Sequence, residues 1–209
     1  MNLAQPLAAG VAALGLSLDA SQQQKLLDYV TLIAKWNKVY NLTAVRDPEA
    51  MITQHLLDSL TVLPHLAGPR LIDIGCGAGL PGIPLAIARP DWKIALLDSN
   101  HKKATFLRQA CLELALTNIE VVCARVEEYR PEQRFDVAIS RAFSDLGEFA
   151  RLSAHLLTKD GKLCAMKGVY PLDEMGRLPP QSQVQEVIPL SVPGMDASRH
   201  LVMMGVEQQ

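Results

Sequence analysis

The chain has 209 residues, 49% of them hydrophobic and 20% charged, a balance that supports one sizeable core and excludes a disordered or fibrous chain. A formal net charge of -2 excludes a strongly basic nucleic-acid coat, although an RNA substrate needs only a locally positive site. Four widely spaced cysteines without a C-x-x-C pair exclude a zinc or disulfide framework and read as reduced thiols.

The opening MNLAQPLAAG carries no positive n-region, and Asn2, Gln5 and Pro6 interrupt its apolar run, so no secretory leader is expected. No apolar stretch is long enough to span a bilayer, and the expected location is the cytoplasm. Residues 3–14 read as a short helix. Across 21–40, Leu26, Leu27, Val30, Ile33 and Trp36 recur at three- and four-residue steps, which predicts a helix with one buried face. Ser21 is the expected N-cap, with Gln24 as its reciprocal partner. After a break at 41–47, Met51, Leu56, Leu60 and Leu63 continue a helical pattern, and Pro48 falls in its first turn, where a missing N–H is tolerated.

The pattern changes at residue 70. Leu71-Ile72-Asp73-Ile74 is a short apolar strand that runs into Gly75-Cys76-Gly77-Ala78-Gly79. A helix is expected over 81–89, a strand over Lys93 to Leu97 ending at Asp98, and a helix over 100–115. Further strands are expected at 119–123, 135–140 and 161–167, with helices between the last two pairs. Two strand-like runs close the chain, Val184–Leu190 and Leu201–Val206, joined by a segment too short for a crossover helix, so the last strand is expected to add antiparallel. Strand alternating with helix predicts an α/β fold with a mostly parallel, doubly wound sheet. Residues 1–65 read as a helical extension packed on a core domain at 66–209, the whole forming one unit.

In such a sheet a ligand sits beyond the carboxyl ends of the strands. Gly75, Gly77 and Gly79 offer a tight turn and close backbone approach, and Asp98 is placed to accept hydrogen bonds from ribose hydroxyls. The glycines alone leave a choice, because Gly77, Gly79 and Gly82 also fit the G-x-G-x-x-G spacing of dinucleotide enzymes. Two features favour S-adenosylmethionine and a Rossmann-like class I methyltransferase fold. Asp73 inside the strand can hold the ligand's amino-acid moiety or organise the loop. Pro81 and Pro84 stand where a dinucleotide helix would present its first N–H groups to pyrophosphate. Cys76 reads as small loop filler.

Several segments, in order, resemble the RsmG (GidB) family of bacterial 16S ribosomal RNA guanine-N7 methyltransferases. They are Trp36-Asn37-Lys38-Val39-Tyr40-Asn41-Leu42-Thr43, His55-Leu56-Leu57-Asp58-Ser59, the loop from Asp73 to Pro84, Leu97-Asp98-Ser99, Arg125-Val126-Glu127 and Ser140-Arg141-Ala142-Phe143. The resemblance implies methylation of guanine 527 of 16S ribosomal RNA at N7, with S-adenosylmethionine as cofactor. It also implies cofactor contacts at Gly75, Leu80, Val126, Glu127 and Arg141.

N7 of guanine has an in-plane lone pair and no proton, so direct in-line attack needs no general base, and no catalytic residue or metal ligand is nominated. Carbon-5 pyrimidine methylation would need an attacking cysteine, usually after proline, and the chain has no Pro-Cys pair. Exocyclic amine methylation usually carries an Asn/Asp-Pro-Pro-aromatic stretch where this chain has Ser140 to Phe143. Candidates for gripping RNA are Lys35, Lys38, Arg46, Lys102, Lys103, Arg108 and above all Lys167, which ends a strand on the ligand side. His55 and Asp58 share a helical face and either line the site or support it. Phe143 either stacks on a base or packs behind the loop. The expected partner is 16S ribosomal RNA, in the small subunit or a late precursor, and the expected state is a monomer off the membrane. Three readings compete: a methyltransferase of the same fold with another substrate, an NAD-dependent oxidoreductase, and a non-catalytic RNA-binding module.

Overall fold

A computed structural model describes residues 3–141, 143 and 145–206. Two helices come first, α1 (Ala4–Ala13) and α2 (Ala20–Tyr40). The cap of α2 lies two residues earlier than expected. Asp19 accepts from the Gln22 N–H at 2.8 Å while the Gln22 side chain accepts from the Asp19 N–H at 2.9 Å. Aspartate serves this reciprocal box as well as serine does, and Gln24 turns instead to Asp28. At the other end Asn41 takes the left-handed conformation, φ 49°, a helix-stopping geometry that asparagine tolerates.

Asp47 caps α3 (Pro48–Met51), with Pro48 in the first turn as expected. The helix then widens into a π-helical turn, Ile52–Leu57, and closes as α4 (Asp58–Leu60). The π turn has no signature in the sequence pattern.

The sheet has seven strands: β1 (Arg70–Ile74), β2 (Lys93–Leu97), β3 (Ile119–Val122), β4 (Phe135–Arg141), β5 (Leu157–Lys167), β6 (Ser182–Leu190) and β7 (Arg199–Val206). Their order is β3-β2-β1-β4-β5-β7-β6. The first five are parallel, and β7 lies antiparallel between β5 and β6. The last strand therefore runs in the predicted sense but is inserted, not appended. Helices α5 (Gly82–Ala88), α6 (His101–Glu113), α7 (Leu146–Ser153) and α8 (Leu172–Met175) complete the fold. The helix expected between β3 and β4 does not form: residues Arg125–Tyr129 make a single turn, with Glu128 and Tyr129 N–H groups donating to Arg125 O. That connection has few apolar residues and contains Pro131, leaving no face to bury along a helix.

Both faces of the central strands are apolar, as buried parallel sheets require. Leu71, Ile94, Leu96, Val137, Ile139, Cys164, Met166 and Leu201 join one core, which also takes in Leu7, Leu26, Val30, Met51 and Leu60 from the N-terminal helices. Ile72, Ile74, Ala95, Leu97, Ala138, Leu163, Ala165 and Val202 face the other core with Phe149 of α7. The period of two in a strand then assigns faces to the strand-end residues. Asp73, Arg141 and Arg199 lie on the side covered by the N-terminal helices.

Candidate active site

The strand order reverses between β1 and β4, and the loop that follows β1 lies at this switch point, where a doubly wound sheet binds ligand. Gly75 and Gly77 have φ of 66° and 59°, a region that disfavours side chains. A Cβ on Gly75 would meet nothing within 4 Å; it would stand in the open cleft. Gly79 and Gly82 serve packing instead. A Cβ there would strike Ile83 and Leu107, or Leu96 and the Asp73 carboxylate.

Two aspartates hold the loop from below. Asp73 is fully buried, and its Oδ2 accepts from the Gly82 N–H at 2.7 Å. Its Oδ1 is buried with no hydrogen-bond partner among the described residues. Burial pushes this carboxyl up to about 7, against the pull of the Gly82 N–H and the Arg141 charge. Asp98, at the end of β2, accepts from the Gly77 N–H at 2.9 Å and from the Asn100 N–H at 2.9 Å. Lys103 Nζ stands 3.6 Å from the same carboxylate. A carboxylate offers about four lone-pair sites, so Asp98 keeps acceptor capacity toward the cleft.

The cleft itself, about 440 Å³, is lined by Ile74, Gly75, Asp98 and Lys103 on one side and by Val126, Glu127 and Phe143 on another. Of the eight residues predicted to bind cofactor, Gly75, Asp98, Val126 and Glu127 line this cleft. Gly77 borders it through its bond to Asp98, while Gly79 and Leu80 lie in the turn behind; Leu80 is buried and its N–H donates to Cys76 O at 3.0 Å. Phe143 packs on Phe149, ring centroids 5.2 Å apart, as the packing reading expects, and also lines the cleft. Ala142 falls outside the described residues. Cys76 is buried and its thiol is pushed well above the usual range by burial, in keeping with a filler.

Arg141, also expected at the cofactor, does not line this cleft. Its Nη1 donates to Gln54 O at 3.0 Å and to Asp58 Oδ2 at 3.2 Å. The other oxygen of Asp58 accepts from Arg199 Nε at 3.0 Å. No local spacing pairs Asp58 with an arginine or singles out Arg199, which stands in a tail without motif, 141 residues from its partner. His55, one turn before Asp58, shares a 2.9 Å hydrogen bond between Nε2 and Thr43 Oγ1. Burial, aided by the Arg141 charge, holds its imidazole below the ordinary value, and its bond to Thr43 makes it a support for the 41–47 segment.

Two of the basic residues nominated for RNA are committed to structure. Lys167 Nζ donates to Glu174 Oε2 at 2.8 Å and to Phe143 O at 3.3 Å, fixing the segment after β4. Arg46 donates to Asn37 O and to Asn41 Oδ1, closing the 41–46 loop. The N-terminal helices also reach the cofactor loop directly: Tyr29, fully buried in α2, donates its hydroxyl to Ala78 O. Gln22 donates to Ile87 O and Ala88 O at the end of α5.

The family model described as rRNA small subunit methyltransferase G matches residues 22–202. The chain is 58% identical over 206 residues to the ribosomal RNA small subunit methyltransferase G of Laribacter hongkongensis, covering 99% of this chain and 100% of that one. It is 58% identical over 196 residues to the protein of the same name from Chromobacterium violaceum, covering 93% and 94%. Among solved structures, a SAM-dependent methyltransferase from Aquifex aeolicus superposes with a TM-score of 0.61 at 18% identity, over 78% of this chain and 96% of that one. That likeness carries the fold, a class I methyltransferase sheet with an N-terminal helical extension added. The chain belongs to the rRNA small subunit methyltransferase G family.

Proposed function

We propose that this chain transfers the methyl group of S-adenosylmethionine to N7 of guanine 527 in bacterial 16S ribosomal RNA. The observation that carries the reading is family membership across nearly the whole chain, and the cleft agrees with it. A cofactor with a ribose, a purine and a charged amino-acid end suits the groups present: a carboxylate with spare acceptor capacity, an open cleft beside Gly75, and a buried carboxylate oxygen with no partner among the described residues.

In this reading Asp98 accepts from the ribose hydroxyls, and Val126 and Glu127 hold the adenine. The Gly75 backbone and Asp73 serve the amino-acid end, with the Arg141 charge beyond them. S-adenosylmethionine supplies an electrophilic methyl group on a sulfonium. The protein's task is to orient guanine N7 in line with that group and to exclude water, which is catalysis by proximity and electrostatic setting. No residue has to remove a proton, because guanine N7 carries none. We further assign a cytoplasmic, monomeric enzyme with the small ribosomal subunit or a late precursor as substrate.

The test is transfer of labelled methyl to small subunits purified from cells lacking the protein, with the modified nucleotide mapped. Label at N7 of guanine 527 is expected. Label at another nucleotide, or none despite cofactor binding, would contradict the assignment of substrate.

A further inference from the structure

Arg141 and Arg199 are drawn together by a carboxylate that belongs to neither strand. Arg141 ends β4. Arg199 begins β7, which runs antiparallel to β5 with Lys167 opposite His200, so both arginines stand at the carboxyl edge of the sheet. Both lie on the face covered by the N-terminal helices, and there Asp58, just past the π turn, accepts from each of them. Its side chain is 3% exposed, against 25% and 28% for the two arginines.

A buried carboxylate needs pairing, and one guanidinium meets that need. The second leaves a surplus positive charge at the carboxyl edge of the sheet. Arg199 uses Nε for Asp58 and Nη1 for Ser198 O at 2.9 Å. Of the five donors of a guanidinium, the rest have no acceptor among the described residues. Such a planar guanidinium, held through Nε and Nη1 and with Nη2 unengaged among the described residues, still has donors to offer a phosphate.

We propose that Arg199 receives a backbone phosphate of the RNA strand at the substrate end of the site, and that Asp58 is the positioning residue that fixes Arg199 and Arg141 in one unit. The proposal rests on the RNA-methylating reading above and names the part of the substrate that this corner takes. Asp58 in effect couples the end of the site assigned to cofactor, through Arg141, to the end assigned to RNA. A helix that widens into a π turn just before Asp58 fits this use, since such turns recur at functional sites.

The experiment uses the full chain and measures two affinities separately: S-adenosylmethionine by calorimetry, and small-subunit 16S RNA without cofactor, over a salt series. For Arg199→Ala, cofactor affinity should stay within about twofold, as for a site remote from the cleft. RNA affinity should fall about tenfold, and the slope of log affinity against log salt should shrink by about 1. Arg199→Lys, which keeps the charge but not the fork, should fall between. Asp58→Asn should weaken RNA binding as well, but add nothing further in the Arg199→Ala background, because it acts through that arginine.

Wild-type affinity and salt slope in Arg199→Ala would overturn the proposal. So would an Asp58→Asn effect on RNA that persists undiminished when Arg199 is gone. Should Asp58→Asn fail to fold, the comparison of Arg199→Ala with Arg199→Lys carries the test alone. If the wild-type chain neither binds nor methylates small-subunit RNA, this proposal and the functional reading fall together. If it does both and Arg199→Ala matches it, this proposal falls alone.

Discussion

The two ends of the site are built in opposite ways. At the glycine-loop end, Asp73, Gly75, Gly77 and Asp98 come from two adjacent strands and the turn between a strand and its helix, and backbone N–H groups of the loop tie them together, Gly82 donating to Asp73, Gly77 to Asp98 and Gly75 to Leu97 O. At the arginine end, Asp58, Arg141 and Arg199 come from the helical extension, the fourth strand and the seventh, and meet only through side chains. The first kind of site is written in local spacing and survives as a motif. The second exists only once the whole chain has folded, and its parts look like isolated surface charges until then.

This contrast can be pressed by experiment. The largest effect is expected from Asp73, the buried hinge of the loop. Its folded carboxyl titrates near 7 against an ordinary 3.8. Between those values the folded chain keeps a proton that the unfolded chain has lost, so stability falls as pH rises through this window. The loss is at most about 4 kcal/mol at roughly 1.36 kcal/mol per unit. Denaturant unfolding of the wild type at pH 5 and pH 8 should show it, and Asp73→Asn should flatten it. A wild-type curve parallel to that of Asp73→Asn would mean that Asp73 titrates as an ordinary acid.

Asp98→Ala comes next. It removes a charged acceptor for the Gly77 and Asn100 N–H groups as well as the proposed ribose partner. A loss of about 1.5–3 kcal/mol per charged hydrogen bond translates to about 10- to 100-fold weaker S-adenosylmethionine binding, read by calorimetry. RNA affinity in the absence of cofactor should hardly move, in contrast to Arg199→Ala. If both affinities fell together, the two ends would not be separable.

A smaller effect belongs to Tyr29→Phe. It deletes the hydroxyl that the N-terminal extension donates to Ala78 O and leaves that carbonyl without its side-chain donor. About 1 kcal/mol of stability should be lost in thermal unfolding, with a few-fold weaker cofactor binding. Unchanged values would show that the extension does not tune the loop. Smallest of all is the Arg125–Glu127 ion pair, 3.6 Å apart with both side chains well exposed. Arg125→Ala should leave the melting temperature within experimental error, because exposed pairs contribute little.

What was legible in the sequence follows the same division. The glycine loop, the aspartates ending or lining β1 and β2, and the five parallel strands were readable because each is set by a period or a spacing within a few residues. The N-cap of α2 falls two residues before Ser21 because Asp19 and Gln22 form an equally good box, which spacing alone does not rank against Ser21 and Gln24. A helix was expected after β3 because strands in such sheets usually alternate with helices, but the connection is too polar to bury one. Lys167 reads as a free cation at a strand end, and only folding reveals Glu174 beside it. Arg199 and the role of Asp58 were not readable at all, since nothing local distinguishes an arginine that pairs across 141 residues.

The most direct test of the account is whether the cleft beside Gly75 is where S-adenosylmethionine binds. Calorimetric titration of the wild type and of Gly75→Val decides it, because the valine side chain would stand in open cleft space on backbone of positive φ. The account predicts one equivalent of cofactor bound by the wild type and none measurable by the variant, with the variant still folded by circular dichroism. A folded Gly75→Val chain that binds cofactor as the wild type does would contradict it.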